Sequence, residues 1–260
     1  MSDTGKWGDL APRVASGLAM VAVGAVALWL GGYVFAALGV LIGGLAVWEL
    51  MRMVRPRHET AARQEAALAG FALAAALFVP GGVAVIILGL LLIVLIGRTG
   101  KYPLIVGGYT ALIFLGVYGL VTLRNEGGLP PALWLVGVVI ATDIAGYFAG
   151  RIIGGPKFWP KVSPKKTWAG IIAGWIAAAL VSLWYASAYE HSVSLMMLAG
   201  AVLSFASQMG DAAESAIKRK MKIKDSSNLI PGHGGVMDRF DAMLGASVAV
   251  TLWLMVAGLG

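Results

Sequence analysis

The chain has 260 residues, of which 59% are hydrophobic and 13% are charged. Soluble domains contain roughly 25% charged residues, so this composition excludes an ordinary soluble protein. The apolar runs are about 20 residues long, the length at which an α-helix crosses a bilayer. They are continuous rather than alternating, which excludes a membrane β-barrel. The absence of cysteine excludes a disulfide scaffold.

Nine apolar runs predict an all-α, polytopic integral membrane bundle of about nine transmembrane helices. In chain order they lie near 14–32, 34–51, 66–79, 81–97, 104–122, 131–149, 168–187, 192–214 and 239–259. The third run is short, so a tilted or re-entrant helix, and hence eight spans, is the alternative. We expect a single membrane domain over 1–260, with helical spans in 1–130 and the chemistry in 131–260.

The basic residues predict the orientation of this bundle. If the N-terminus is cytoplasmic and the nine runs alternate sides, 19 of the 20 Lys and Arg residues fall inside and Arg124 falls outside. This asymmetry explains the net charge of +7 as a topology signal and as attraction to anionic membrane lipids. No nucleic-acid partner is therefore expected. Glu49 is the one residue of possible chemical interest in the first half, and an ion pair with Arg52 is its simplest explanation.

The first polar cluster lies in the sixth apolar run. Asp143 is costly in an apolar helix and by default marks a functional site or a buried partner. Tyr147 and Arg151 follow at i+4 and i+8, on the same helical face. We interpret this face as the wall of a polar, nucleotide-binding cavity. A structural contact of Asp143 with Tyr147 or Arg151 is the alternative.

A lysine-rich loop follows this helix at 154–167 and reads Gly-Gly-Pro-Lys-Phe-Trp-Pro-Lys-Val-Ser-Pro-Lys-Lys-Thr. Ser163 and Thr167 flank Lys165 and Lys166 just before a predicted helix. Hydroxyls, lysines and the N–H groups at a helix start together form an anion site. The loop therefore predicts phosphate binding, although a plain cytoplasmic basic loop would have a similar composition.

The eighth run ends in a polar face formed by Ser207, Asp211, Glu214, Ser215 and Lys218. Asp211 and Glu214 are at i and i+3, and two carboxylates on one face suit a hard cation that takes oxygen ligands. An ion pair of Glu214 with Lys218 at i+4 is the simpler interpretation of that pair. It leaves Asp211 unexplained.

A glycine-rich segment, Pro-Gly-His-Gly-Gly-Val-Met-Asp-Arg-Phe-Asp, leads into the last apolar run. Its glycines allow close backbone approach to a ligand around His233, which would either shape the loop or contact phosphate. Asp238 and Asp241 form a second carboxylate pair at i and i+3. Two acid pairs beside a lysine-rich loop predict a magnesium-assisted phosphoryl or nucleotidyl transfer site.

The stretch 215–241 resembles, along its whole length, the characteristic motif of phosphatidate cytidylyltransferases, also called CDP-diacylglycerol synthases. The matching elements are Ser215-x-Ile-Lys-Arg, Lys224-Asp225, Pro231-Gly-His-Gly-Gly and Asp238-Arg-Phe-Asp241. The resemblance extends over 143–241, because two upstream elements match in the same order, namely Asp143…Tyr147…Gly150-Arg151 and Ser163-Pro-Lys-Lys-Thr167.

The resemblance implies an all-helical, dimeric membrane enzyme that joins CTP and phosphatidic acid to give CDP-diacylglycerol and pyrophosphate. It implies Mg²⁺ as the required ion and K⁺ as a candidate second cation. Together with the compactness of the chain, it predicts a bacterial inner membrane protein whose active site faces the cytoplasm.

The resemblance also implies roles for individual residues. The metal ligands would be Asp211, Asp238 and Asp241. Besides these three, the catalytic residues would be Lys218, Arg219, Lys224 and His233, which would serve the phosphates. Substrate would be bound by Asp143, Tyr147, Arg151, Ser163, Lys165, Lys166, Thr167, Ser215, Asp225, Gly234, Gly235 and Arg239.

One position departs from the family pattern. Ala169 stands where that family usually has glutamate, two residues after the Ser-Pro-Lys-Lys-Thr element. Either that acid is dispensable, or Glu214 or Asp143 substitutes for it.

Two other functions place acids on membrane helices. A CDP-alcohol phosphotransferase would need a longer, differently spaced aspartate motif, which we do not find in this chain. An ion-coupled transporter would use Asp143 and Asp211 as intramembrane coupling sites. Against it, the charges crowd one membrane face and no inverted repeat is visible.

Overall fold

Nine helices and one small hairpin make up residues 10–257, the part of the chain that the computed structural model describes. The strands are β1 (Lys157–Trp159) and β2 (Ser163–Thr167), and the helices are α1 (Leu10–Leu30), α2 (Gly32–Val54), α3 (Glu59–Ala76), α4 (Gly81–Thr99), α5 (Pro103–Glu126), α6 (Leu129–Ile152), α7 (Trp168–Ala188), α8 (Val193–Met221) and α9 (Met237–Ala257). The first nine residues, with the predicted cytoplasmic N-terminus and Lys6, lie outside the described part, as do residues 258–260 at the end of the predicted ninth span.

Eight helices of the described part are long and apolar enough to cross a membrane, which confirms a polytopic helical membrane protein. The remaining one, α3, begins earlier than the run predicted at 66–79, because its first turns are polar. Its two ends nevertheless contact the two ends of α2. Trp48 Nε1 donates to Glu59 Oε1 at 3.1 Å, and Tyr33 stacks with Phe78, just beyond α3, with ring centroids 5.7 Å apart. α3 therefore runs antiparallel to α2 over nearly the same length.

Apart from Arg124, the basic side chains of the described part lie at one end of the bundle, here called the basic end. Arg55 pairs with the fully buried Glu65 and donates to the carbonyl oxygen of Arg98 at 3.2 Å. These contacts join the ends of α2, α3 and α4. At the opposite end, Arg124 donates to the carbonyl oxygens of Leu28 and Trp29, at 2.6 and 2.9 Å. These two carbonyl groups belong to the last turn of α1 and have no partner within the helix.

One small hairpin accompanies the predicted all-α bundle. β1 pairs with β2 in antiparallel register, with Lys157 opposite Thr167 and Trp159 opposite Ser163. The lysine-rich loop between α6 and α7 is thus folded on itself, because cross-strand hydrogen bonds satisfy backbone groups that would otherwise need water. The hairpin leads directly into the start of α7.

Apart from α1, which contacts α2 and α6, the helices form two groups, α2–α5 and α6–α9, and these are joined mainly where α9 packs against α5. The contact is close because small residues let the two backbones approach. A Cβ added at Gly116 would lie 2.9 Å from the carbonyl oxygen of Leu244, and Thr251 Oγ1 donates to the carbonyl oxygen of Leu115 at 2.6 Å. This packing brings the start of α9 to the ends of α2 and α8 at the basic end.

Candidate active site

A cavity of about 670 Å³ opens at the basic end between α6, the hairpin, α7, α8 and α9. Many of the residues predicted from the sequence line it, namely Asp143, Tyr147, Arg151, Lys165, Lys166, Thr167, Asp211, Lys218, Asp225, Asp238, Arg239 and Asp241. The lining also includes Glu214, which was considered as half of an acid pair, and residues that were not predicted as site residues, among them Thr142, Gly146, Gly170 and Gln208. The four predicted clusters therefore share one cavity.

Three carboxylates form a cluster within this cavity. Asp211 and Glu214 on α8 and Asp241 on α9 each offer an oxygen, and these oxygens lie within 4.8 Å of one another. Glu214 is 1% exposed, and its Oε1 has no hydrogen-bond partner among the described residues. A buried, unpartnered carboxylate oxygen is costly, whereas a hard cation accepts such oxygen ligands. The cluster therefore fits a divalent cation.

Lys218 connects this cluster to Asp238. Its Nζ lies 2.7 Å from Glu214 Oε2 and 2.6 Å from Asp238 Oδ1. The other oxygen of Asp238, Oδ2, accepts hydrogen bonds from the backbone N–H groups of Ser226 and Gly235, at 2.9 and 2.8 Å, and from Ser226 Oγ at 2.8 Å. The i+4 pair of Glu214 with Lys218 is thus present as predicted. The metal role of Asp238 stays a prediction, since both its oxygens already have protein partners.

The hairpin contributes Lys166 to the opposite wall of the cavity. Its Nζ lies 2.5 Å from Asp211 Oδ2, and Ser215 Oγ donates to Asp211 Oδ1 at 3.2 Å. Thr167 caps α7, because its Oγ1 accepts the N–H of Gly170 at 3.2 Å, which satisfies one free donor of the first turn. The predicted placement of lysines beside a helix start is therefore present in the structure.

The three side chains predicted on α6 line the cavity, and the contact among them joins Arg151 to Tyr147. Arg151 donates from one guanidinium nitrogen to Tyr147 Oη at 2.7 Å. Asp143, one turn earlier, also lines the cavity. The structural alternative, in which Asp143 itself holds Tyr147 or Arg151, does not match this arrangement.

Seven predicted residues do not line the cavity, namely Ser163, Ser215, Arg219, Lys224, His233, Gly234 and Gly235. Two of them act on neighbours that do line it, since Ser215 binds Asp211 and Gly235 binds Asp238. His233 instead faces α1, with its Nδ1 2.8 Å from Ser16 Oγ. This contact favours a loop-shaping role for His233. The predicted phosphate roles of Arg219 and Lys224 stay predictions.

Of two further polar residues in the site region, Gln208 was missed and Glu49 was noted but assigned the wrong partner. Gln208 accepts a hydrogen bond from Trp175 Nε1 at 3.0 Å and donates to the carbonyl oxygen of Ile171 at 3.2 Å, which ties α8 to α7. Glu49 does not pair with Arg52, and that interpretation was wrong: Arg52 pairs with Glu59 at 3.0 Å. The sequence did signal Glu49, because an acid in an apolar helix marks a functional site or a buried partner. It could not identify the partners, because they lie far along the chain.

Ala169, the position that departs from the family pattern, is the second residue of α7 and does not line the cavity. Both acids considered as substitutes, Glu214 and Asp143, do line it.

A family model describing the cytidylyltransferase family matches residues 11–257. The chain belongs to this family. The match covers both the helices of the first half and the cavity, so membership applies to the whole described bundle.

Individual relatives in the cytidylyltransferase family agree with this placement over a shorter stretch. The chain is 45% identical over 130 residues to a phosphatidate cytidylyltransferase of Brucella suis, covering 48% of this chain and 47% of the relative. It is 35% identical over 140 residues to a phosphatidate cytidylyltransferase of Bacillus subtilis, covering 52% of each chain. The chain thus spans about half the length of the curated relatives it matches.

Proposed function

We propose that the protein transfers the cytidylyl group of CTP to phosphatidic acid, giving CDP-diacylglycerol and pyrophosphate for phospholipid biosynthesis. The observation on which this depends is the cavity at the basic end of a membrane bundle, where three carboxylates and several cations converge. Membership of the cytidylyltransferase family, and relatives named phosphatidate cytidylyltransferase, support this choice of reaction.

Asp211, Glu214 and Asp241 would hold Mg²⁺, because their oxygens are close together and one buried oxygen of Glu214 lacks a partner among the described residues. A bound Mg²⁺ would neutralise triphosphate charge and act as a Lewis acid on phosphoryl oxygens. Asp238 would orient Lys218, and its further role as a metal ligand stays a prediction. K⁺ as a second cation also stays a prediction.

In the proposed reaction, a phosphate oxygen of phosphatidic acid bonds to the α-phosphorus of CTP. The bond from that phosphorus to the oxygen bridging the β-phosphate breaks, and its electron pair leaves with pyrophosphate. The attacking phosphate is already an anion at neutral pH, so no side chain has to remove a proton. The protein must instead bring two polyanions together, which requires fixed positive charge and orientation.

The cavity supplies that positive charge from several elements. Lys166 and Lys218 lie among the carboxylates, while the exposed Arg151 and Arg239 lie further out on the lining. Arg239 is itself held by the carbonyl oxygen of His233, at 2.8 and 2.6 Å from two guanidinium nitrogens. We assign to these four side chains the binding of the phosphate groups of CTP and of the lipid.

The basic end would face the cytoplasm of a bacterial inner membrane. The sorting of Lys and Arg to that end supports this orientation, and so does the bacterial origin of the relatives. Phosphatidic acid would then enter from the surrounding lipid and CTP from the cytoplasm. The homodimer implied by the family resemblance stays a prediction.

Release of pyrophosphate by the purified protein in detergent tests this proposal. Release should require CTP, phosphatidic acid and Mg²⁺ together. Asp211→Asn removes one charge of the carboxylate cluster and should lower the rate by about 100-fold or more, the scale of one lost electrostatic contact to a transition state. Glu126→Gln, at an exposed carboxylate at the opposite end, is the matched control and should keep the rate. Release without phosphatidic acid, or full turnover by Asp211→Asn, would contradict the proposal.

A further inference from the structure

Glu49 is a fully buried acid near the end of α2, in the half of the chain whose described residues supply none of the cavity lining. A buried carboxylate is costly unless it is paired or fully hydrogen-bonded. Its partners therefore indicate why it is retained in this apolar helix.

Four donors surround this carboxylate, and all come from the far end of the chain. Oε1 accepts from Ser227 Oγ at 2.6 Å and from the N–H of Val236 at 2.8 Å. Oε2 accepts from Ser226 Oγ at 3.1 Å and from the N–H of Met237 at 2.7 Å. Two of the four donors are backbone N–H groups at the start of α9, which have no partner within the helix. A negative charge is favourable at this helix end.

The same contacts lead directly to the cavity. Ser226 Oγ lies 3.1 Å from Glu49 Oε2 and 2.8 Å from Asp238 Oδ2, and a hydroxyl has only one hydrogen to donate. The two carboxylates therefore share that hydroxyl. Gly235 lies between them, because a Cβ added there would collide with Ser226 Oγ and with Glu49 Oε1.

Asp238 connects these contacts to the carboxylate cluster through Lys218. Its Oδ2 is fixed by Ser226 and Gly235, and its Oδ1 holds Lys218 Nζ at 2.6 Å. Lys218 in turn holds Oε2 of Glu214 at 2.7 Å and leaves Oε1 without a partner among the described residues. The orientation of Glu214 therefore depends on a chain of contacts that begins at Glu49.

We infer that Glu49 is a positioning residue: it holds the connecting segment, residues 222–236, and the start of α9 so that Asp238 and Lys218 orient Glu214 for the cation. The inference rests on the proposed function for its catalytic meaning. A carboxylate is required because it offers about four acceptor positions, whereas an amide would turn its NH₂ group toward a backbone N–H. The contact of the two halves at Glu49 is thereby part of the active site.

Binding of Mn²⁺ to the full-length protein in detergent, measured by electron paramagnetic resonance, tests the inference without any turnover. Glu49→Gln should weaken Mn²⁺ binding by about 10-fold or more, as the loss of a residue supporting a metal ligand does. It should also speed deuterium exchange at the Val236 and Met237 amides. Ser226→Ala, which keeps the charge of Glu49 and removes the shared hydroxyl, should weaken binding in the same direction.

Glu65→Gln is the matched control, because Glu65 is also fully buried and lies in the same half, but it pairs with Arg55 and Arg98. It should leave Mn²⁺ affinity and exchange at α9 unchanged, even if the protein unfolds at a lower temperature. Wild-type affinity in folded Glu49→Gln, or an equal loss in Glu65→Gln, would overturn the inference. If Glu49→Gln does not fold, Ser226→Ala decides, and wild-type affinity in that variant would overturn it.

The two proposals fail in different ways. If the unaltered protein binds Mn²⁺ and Glu49→Gln weakens this binding, yet no pyrophosphate is released from CTP and phosphatidic acid, the proposed function is wrong and the positioning role stands. Suppose instead that the unaltered protein releases pyrophosphate and that Glu49→Gln has the same deuterium exchange, the same Mn²⁺ affinity and the same rate of release. The positioning role is then wrong and the proposed function stands.

Discussion

Lys218 is a single residue that contacts two buried carboxylates of the site, Glu214 and Asp238. Its side chain is 17% exposed, and its ammonium group lies between the side chains of Glu214, which is 1% exposed, and Asp238, which is 7% exposed. Each carboxylate would be unfavourable so deep in the bundle without a cation nearby. Lys218 contacts both carboxylates with its single positive charge and leaves Oε1 of Glu214 without a partner among the described residues.

Removal of this ammonium should therefore damage stability as well as activity. Lys218→Met keeps the length of the side chain but leaves two carboxylates without their cation, and we expect a cost of about 3–5 kcal/mol in free energy of unfolding. A marked fall in thermal unfolding temperature in detergent, together with loss of pyrophosphate release, would show it. Lys220→Met, at an exposed position on the same helix, should change neither. An unfolding temperature equal in the two variants would contradict this assignment.

At the scale of elements, the close packing of α8 on α9 assembles the carboxylate cluster. Gly210 on α8 and Gly245 on α9 face each other, and a Cβ added at Gly245 would lie 2.8 Å from Cα of Gly210. Asp211 and Glu214 follow on one helix and Asp241 lies on the other. The separation of the two backbones therefore sets the distance across the carboxylate cluster, since small residues allow helices to approach closely.

Gly210→Ala should separate these helices, because the new Cβ would collide with the carbonyl oxygen of Asp241. A displacement on the order of 1 Å at a catalytic group can lower a rate by about 100-fold, so we expect a loss of that size in pyrophosphate release. Gly89→Ala is the control, since a Cβ there on α4 meets nothing within 4 Å. Equal rates in the two variants would show that the glycine contact does not set the geometry of the site.

At the scale of the whole molecule, the two ends of the bundle differ in charge. The basic end holds the cavity, the hairpin and the connecting segment, whereas Arg124 closes α1 at the opposite end. Basic residues stay on the cytoplasmic side of a bacterial membrane. In the proposed orientation, this charge asymmetry would also place the proposed phosphate-binding groups on the side where CTP is available.

Cysteine labelling can test this orientation cleanly, because the natural chain has no cysteine. Lys161→Cys introduces a thiol in the hairpin, and Glu126→Cys introduces one at the opposite end, both at exposed positions. In intact bacterial spheroplasts, a membrane-impermeant maleimide should label only the variant at 126, and lysis should expose the one at 161. The reverse pattern would place the cavity on the outer side and contradict the proposed function.

The sequence by itself determined the features that depend on local composition and helical period. The apolar runs predicted the membrane helices, because length and hydrophobicity alone decide whether a segment can cross a bilayer. The spacing of Asp211 with Glu214, and of Asp238 with Asp241, predicted two carboxylate pairs on helix faces. α3 was predicted in part only, because its polar first turns broke the apolar run.

Only the tertiary structure decided which of these side chains meet. Spacing places Asp238 and Asp241 on one face, yet the structure groups Asp241 with Asp211 and Glu214, while Asp238 binds Lys218. Glu49 finds its partners at Ser226 and Met237, far along the chain. Such contacts depend on how closely α2, α8 and α9 pack, which is set by small residues and by buried polar groups that must be satisfied together.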